Sequence, residues 1–290
     1  MKIKVDPLNP FNLEATLCCG QAFRWDKRAE WWYGVASGRV FKTRQTGETL
    51  EIENVNINFA KNYFGLIDEL NNVFSQICKD PYIKRAVKMF SGLRILRQDP
   101  WECLISYICA TYKNIAAIRH MLLNLSRRFG DKVCFDGLDF YTFPTAEDLA
   151  QASVNDLLRC GLGYRAKYVH ETARTVAESP LDFARLRKKG YEEARHELVG
   201  LAGVGLKAAD CILLFSLDKL QSFPVDVWVR RAVLRHYAGH FSKEFMARLR
   251  EKESLASSDY EKLSLFGRTY FGEFAGYAQE YLYHYERTMG

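Results

Sequence analysis

Long apolar runs are missing from this chain. None approaches the roughly 20 residues that a membrane helix needs, and the opening "MKIKVDPLNPF" contains no apolar leader. These absences predict no membrane partner and a cytoplasmic setting, at the nucleoid in a bacterium, or a nuclear one in a nucleated cell. Paired cysteines are missing too. The eight cysteines (18, 19, 78, 103, 109, 134, 160 and 211) form no C-x-x-C pair, which argues against zinc and redox sites. Most lie in apolar sequence, as reduced core thiols do. No cysteine follows Cys211, which excludes a C-terminal iron–sulfur cluster. A nucleotide phosphate loop is absent as well, because Lys207 is followed by Ala208 where G-x-x-x-x-G-K-[ST] needs a hydroxyl. Low-complexity segments and clear internal repeats are not found.

What remains is the composition of a globular protein. Over 290 residues, 48% are apolar, enough for one large domain or two to three small ones with a real core. Lysine and arginine exceed aspartate and glutamate by 41 to 35, with a pI near 8.8. This mild excess points weakly to a polyanionic partner. The clusters "RRF" (127–129), "RLRKK" (185–189) and "VRRAVLRHY" (229–237) point the same way.

The pattern along the chain changes once. "WWYGVA" (31–36), "VFKTRQ" (40–45) and "TLEIEN" (49–54) are short, aromatic and β-branched, and separated by "SGR" and "TGE". They read as an antiparallel meander, with "FRWD" (23–26) as a further candidate strand. From about Asn58 the spacing turns helical, and after "LRQDP" the chain reads as almost wholly helical. Asp99 and Pro100 start one helix. "YKN" (112–114) interrupts, "IAAIRHMLLNLSRRF" follows, and Gly130 ends it. Thr145 with Asp148, and Ser153 with Asp156, have the spacing of capping boxes. "VWVRRAVLRHYAGHF" after Asp226 and "FGEFAGYAQEYLYHY" (271–285) read as late helices.

"LVGLAGVGLKAADCILLF" reads as helix, tight turn, helix. The glycines allow close backbone approach, and the N–H groups at the mouth of the second helix suit a phosphate. A plain helix–helix connection has the same spacing. Lys207 stands in the first helical turn, where the dipole disfavours a cation. Further on, "FPVDVWVRR" puts Asp226 at another helix start, where it can simply cap its own helix.

Taken together, the G-V-G-x-K turn and the later P-V-D resemble the helix–hairpin–helix DNA glycosylase superfamily. "CGQAFRW" (19–25), "GLGYRA" (161–166), "GVGLKAADC" (203–211), "PVDVW" (224–228) and "GYAQEYLY" (276–283) stand in the order found in 8-oxoguanine DNA glycosylases, and the resemblance covers nearly the whole chain. It implies an α+β protein: an N-terminal antiparallel β-sheet domain (1–95), then a two-lobed all-helical region (96–290) with its hairpin at about 193–217. It further implies a monomer acting on double-stranded DNA that contains 8-oxoguanine. By this resemblance Lys207 is the nucleophile and Schiff-base former, and Asp226 stabilises the transition state. Gly20 and Gln279 read the base, and Cys211 and Tyr283 sandwich it. Tyr164 is the wedge, Arg165 a reader of the opposite cytosine, and Gly203 and Gly205 present backbone to phosphate. Each base-contacting residue also has an ordinary core role open to it. No metal or cofactor is implied beyond a structural cation on hairpin carbonyls around Val199, Leu201 and Val204.

Four positions, at three sites, depart from the family pattern. Ala202 replaces the proline of the usual "LPGVG". In "TYKNIAAI" (111–118), Tyr112 stands where the first asparagine of an Asn-rich loop is usual, and Ala117 where an arginine is usual. Trp228 replaces a common phosphate-binding histidine. The second departure predicts weak discrimination among opposite bases, as in bacterial-type members.

Overall fold

The computed structural model describes all 290 residues. The chain opens with β1 (Lys2–Lys4), α1 (Leu13–Cys18), β2 (Trp25–Arg28), β3 (Trp31–Ala36), β4 (Arg39–Thr46) and β5 (Thr49–Glu53). The sheet is antiparallel throughout, in the order β1-β5-β4-β3-β2. The expected meander is its centre, and β1 is an edge strand too short to read in advance. Its own small core gathers Trp25, Phe41, Leu50, Ile52 and Phe64. Gly34 is required there, since a Cβ would come within 2.5 Å of the Trp25 ring.

Helices then follow: α2 (Ile57–Tyr63), α3 (Leu70–Ile77), α4 (Pro81–Met89), α5 (Pro100–Cys109) and α6 (Ile115–Phe129). The stretch expected to be almost wholly helical next contains a two-stranded hairpin, β6 (Lys132–Phe135) and β7 (Leu138–Tyr141). Its turn is Asp136–Gly137, both at positive φ, the Asp-Gly preference of two-residue hairpins. Asp136 accepts from the Tyr33 hydroxyl at 2.6 Å and pairs with Lys42 at 2.7 Å. The hairpin thereby clasps the sheet.

The rest of the chain comprises α7 (Ala146–Gln151), α8 (Val154–Arg159), α9 (Arg165–Glu178), α10 (Phe183–Lys188), α11 (Tyr191–Val199), α12 (Leu206–Ser216), α13 (Val227–His236), α14 (Lys243–Glu251), α15 (Ser257–Phe271) and α16 (Ala275–Met289). Thr145 and Asp148 form a full capping box, whereas Ser153 only caps Asp156 N–H without the return bond to its own backbone. The helix after Asp226 stops at His236, shorter than expected, and Ala238–His240 adds one 3₁₀ turn. The last helix begins at Ala275 rather than Phe271. Gly272, at φ +78°, ends α15 and turns the chain before a 3₁₀ step. Helices α3 and α4 lie on the N-terminal side of residue 96, yet they share the large core with α12 and α16.

Two buried polar side chains fix the join between sheet and helices. Arg94 is 1% exposed and donates to the carbonyls of Asn9, Pro10, Gly65 and Asp68. Gln21 donates to the Thr16 and Arg94 carbonyls and accepts from Leu96 N–H at 2.7 Å. The turn at Cys19–Gly20–Gln21 is therefore clamped onto the connection into α5, where a buried backbone would otherwise lack partners.

Candidate active site

The hairpin is α11, the turn 200–205, and α12. Gly203 has φ +77°, and a Cβ there would come within 2.6 Å of Tyr168 on α9. Thr172 of the same helix donates to the Ala202 carbonyl at 2.8 Å. The turn is thus seated on α9 without the family's usual proline. Gly205 is the N-cap of α12 and its side has open space. The first-turn N–H groups have no partner within the helix.

Lys207 lies in that first turn, half-buried, with Nζ 5.1 Å from the Tyr107 ring centroid. It opens into a cleft lined by 15 residues, 8 of them hydrophobic. Asp226, Cys211, Gln279, Tyr283 and Gly20 line the same cleft. Four chain segments therefore bring together six of the residues that the sequence singles out. Cys211 follows Lys207 by one helical turn and so shares its face; burial pushes its thiol up to about 12, which keeps it neutral. Asp226 caps α13, accepting from Trp228 N–H at 3.0 Å and Val229 N–H at 2.9 Å. Burial raises its carboxyl, while those N–H groups and Lys207 oppose the rise. The capping role and the cleft position are held by one side chain.

Gly20 and Tyr283 form one wall. At Gly20 φ is +101°, and a Cβ would meet Tyr283 Oη and Arg287 Nη1 at 3.1 Å each. Gln279 is 4% exposed, and its Oε1 is buried without a hydrogen-bond partner. An acceptor in that state is costly unless a ligand satisfies it. Burial also raises the Tyr283 phenol, so it stays a hydroxyl.

The cleft includes residues that the sequence reading passed over: Phe23, Tyr107, Lys113 and Glu280. Glu280 carried a signal, a carboxylate set among aromatic residues in "AQEYLYHY". Tyr107 and Phe23 look like any core aromatic in sequence.

The expected duplex-facing residues divide. Tyr164 is 55% exposed at the start of α9, and Tyr112 is 85% exposed. Tyr112 has φ +53°, a strained state for a bulky residue. Arg165 is not presented to a partner as expected. It is 3% exposed, because its guanidinium donates to the carbonyls of Thr111 and Leu162. It ties the Tyr112 loop to the Tyr164 loop instead. Trp228 is half-buried in the first turn of α13, with Arg231 4.6 Å over its ring. Much of "RLRKK" is also spoken for: Arg185 and Lys189 pair with Glu197, and Arg187 pairs with Asp218. No cluster of three or more His, Cys, Asp or Glu side chains could hold a metal ion.

An antiparallel sheet domain joined to helices that place a lysine at a helix–hairpin–helix mouth defines the class of helix–hairpin–helix base-excision proteins. Residues 2–104 match the 8-oxoguanine DNA glycosylase N-terminal domain, and residues 105–263 match the HhH-GPD superfamily base excision DNA repair protein. The chain is 32% identical to the N-glycosylase/DNA lyase of Saccharomyces cerevisiae, over 93% of this chain and 82% of that protein. It is 35% identical to the probable N-glycosylase/DNA lyase of Methanothermobacter thermautotrophicus, over 75% and 70%. The crystal structure of the Clostridium acetobutylicum 8-oxoguanine glycosylase/lyase with double-stranded DNA containing cytosine opposite 8-oxoguanine superposes with a TM-score of 0.85. Identity there is 32%, over 96% of this chain and 92% of that one. The chain belongs to the N-glycosylase/DNA lyase family, within the HhH-GPD superfamily.

Proposed function

We propose that this protein is a bifunctional 8-oxoguanine DNA glycosylase and AP lyase acting on double-stranded DNA. The observation that carries the reading is the single cleft shared by Lys207, Asp226, Gly20 and Gln279. The damaged nucleotide leaves the stack, since its glycosidic bond is unreachable inside the duplex. Tyr164, exposed beside the hairpin, fills the gap. Lys207 attacks C1′ as a neutral amine, while the Asp226 carboxylate offsets positive charge developing on the sugar. A lysine, unlike a water or an aspartate, goes on to a Schiff base. That iminium acidifies the C2′ proton, and β-elimination of the 3′ phosphate follows.

The Gly20 carbonyl accepts from the N7–H that 8-oxoguanine has and guanine lacks. Gln279, with its buried Oε1 unpaired, reads the Watson–Crick edge. Cys211 and Tyr283 hold the two faces of the ring. Gly203, Gly205 and the first-turn N–H groups of α12 bind a phosphate, with Trp228 at the neighbouring helix start. A cation on the carbonyls of Val199, Leu201 and Val204 fits as a brace. The Leu201 carbonyl accepts Val204 N–H at 3.2 Å, which leaves its second lone pair. No chemical step passes through it.

Opposite-base selection should be weak. Ala117 offers no guanidinium, and Arg165 is occupied by two carbonyls. Losing a bidentate contact relaxes discrimination by about 1–3 kcal/mol. Single-turnover excision of 8-oxoguanine opposite C, A, G and T is expected to vary by only about tenfold at near-saturating enzyme. The same duplex panel with guanine and 3-methyladenine tests the lesion assignment. Guanine released as fast as 8-oxoguanine would overturn the role given to Gly20.

A further inference from the structure

We infer that Glu280 is the group that takes the proton from Lys207 before the lysine attacks, an inference that rests on the proposed glycosylase/lyase chemistry. The attack requires a neutral amine, and nothing assigned so far receives the ammonium proton. Asp226 is poorly suited, because its carboxylate already accepts two backbone N–H bonds from its own helix. Those bonds oppose the rise that burial gives its carboxyl and so weaken it as a base.

Glu280 is differently placed. It lies on α16 and lines the cleft with Lys207 and Asp226. It is 2% exposed, and its Oε2 is buried with no hydrogen-bond partner. A carboxylate stripped of donors is a stronger base than an ordinary one. Burial pushes its carboxyl up to about 8, helped by Asp226 and opposed by Arg287 and Lys207. The other titratable groups facing it are Cys19, Tyr107, Cys211 and Tyr283, whose thiols and phenols are all raised by burial. They remain neutral and compete for no proton. Transfer from Lys207 to Glu280, directly or over one water, turns a half-buried ammonium and a buried carboxylate into two neutral groups. The low-dielectric cleft favours that exchange.

The proton balance closes within the site. Lys207–NH₃⁺ and Glu280–COO⁻ become Lys207–NH₂ and Glu280–COOH. The nitrogen lone pair forms the N–C1′ bond, and the C1′–N9 electron pair leaves with the purine. The proton on Glu280 passes to that purine anion, and the carboxylate is regenerated. The positive charge ends on the secondary ammonium.

The test is single-turnover base release by the full chain, from pH 6 to 10, on a duplex containing 8-oxoguanine. Below its inflection the wild-type rate should fall about tenfold per pH unit, in step with the ionised fraction of one group, and it should level off above about pH 8. Glu280→Gln should slow release about 10²-fold at pH 8, the lower end for loss of a proton-transfer group. It should also lose the plateau, with the rate still climbing to pH 10. Glu280→Asp should restore a plateau. Binding to a duplex carrying an uncleavable abasic-site analogue should be unchanged in both variants. A flat wild-type profile, or a Glu280→Gln variant that binds this duplex and keeps the wild-type rate and inflection, overturns the proposal. If Glu280→Gln fails to bind, the wild-type and Glu280→Asp profiles decide. A wild-type protein that releases no base and is not trapped by borohydride on an abasic duplex instead overturns the glycosylase/lyase reading itself.

Discussion

Lys207→Gln is expected to abolish borohydride trapping on DNA containing 8-oxoguanine or an abasic site. It should lower single-turnover base release on the order of 10⁵–10⁶-fold, the scale on which enzymes lose rate with their nucleophile. Glutamine keeps the stem of the side chain and its place in the first turn of α12. It has no basic nitrogen, so neither the covalent bond to C1′ nor the iminium can form. The fold should hardly notice. The interaction lost is the approach to the Tyr107 ring at 5.1 Å, worth about 0.5–1 kcal/mol. Lesion-duplex affinity should persist, because the phosphate donors proposed for the hairpin are backbone groups around Gly203 and Gly205. The readouts are a trapped band on denaturing gels, released base, and a melting curve. A variant that still traps would remove Lys207 from the mechanism.

The same lysine shows which features were legible in the sequence. Where glycine punctuation, capping residues and periodicity agreed, the elements came out as read. The helix Ile115–Phe129 was bounded correctly by Asn114 and Gly130. The sheet's central strands follow from short aromatic and β-branched runs separated by "SGR" and "TGE". The hairpin β6–β7 was passed over because helical expectation dominated around it, although "CFDGLDF" carries the Asp-Gly turn signal. The last helix was started four residues early, because period alone does not see Gly272 at φ +78°. In the cleft, residues fixed by a motif were found. Those supplied by tertiary packing are harder to read: Tyr107 on α5 looks like any core aromatic, and the carboxylate of Glu280 among the aromatics of α16 is conspicuous but does not show what it faces. The burial of Arg165 escapes the sequence for a related reason. A guanidinium next to an exposed tyrosine reads as surface, yet two loop carbonyls need donors and draw it inward.

Asp210→Ala should be strongly destabilising, although Asp210 does not itself line the cleft. It is fully buried on α12, three residues from Lys207. Its carboxylate accepts from Tyr191 Oη at 2.5 Å, from the Tyr260 hydroxyl and from Ser264 at 3.5 Å, and pairs with Arg195 at 3.0 Å. These partners come from α11 and α15, so one side chain holds the hairpin's second helix to two others. Removing it leaves two phenol hydroxyls and most of a buried guanidinium without their acceptor. Glu261 engages only Nη1 of Arg195. Breaking a buried pair in this way costs about 3–5 kcal/mol, or a fall in melting temperature of roughly 5–8 °C for a chain of this size. Asp210→Asn keeps one carbonyl acceptor and the volume, and should lose less. Activity should fall with the hairpin's order, so Asp210→Ala should weaken trapping at 37 °C and recover part of it at low temperature. That recovery separates a support for Lys207 from a participant in the chemistry. A melting temperature within 2 °C of wild type would mean that α12 is held by its apolar contacts, and the polar network would lose its place in the account of how the lysine is positioned.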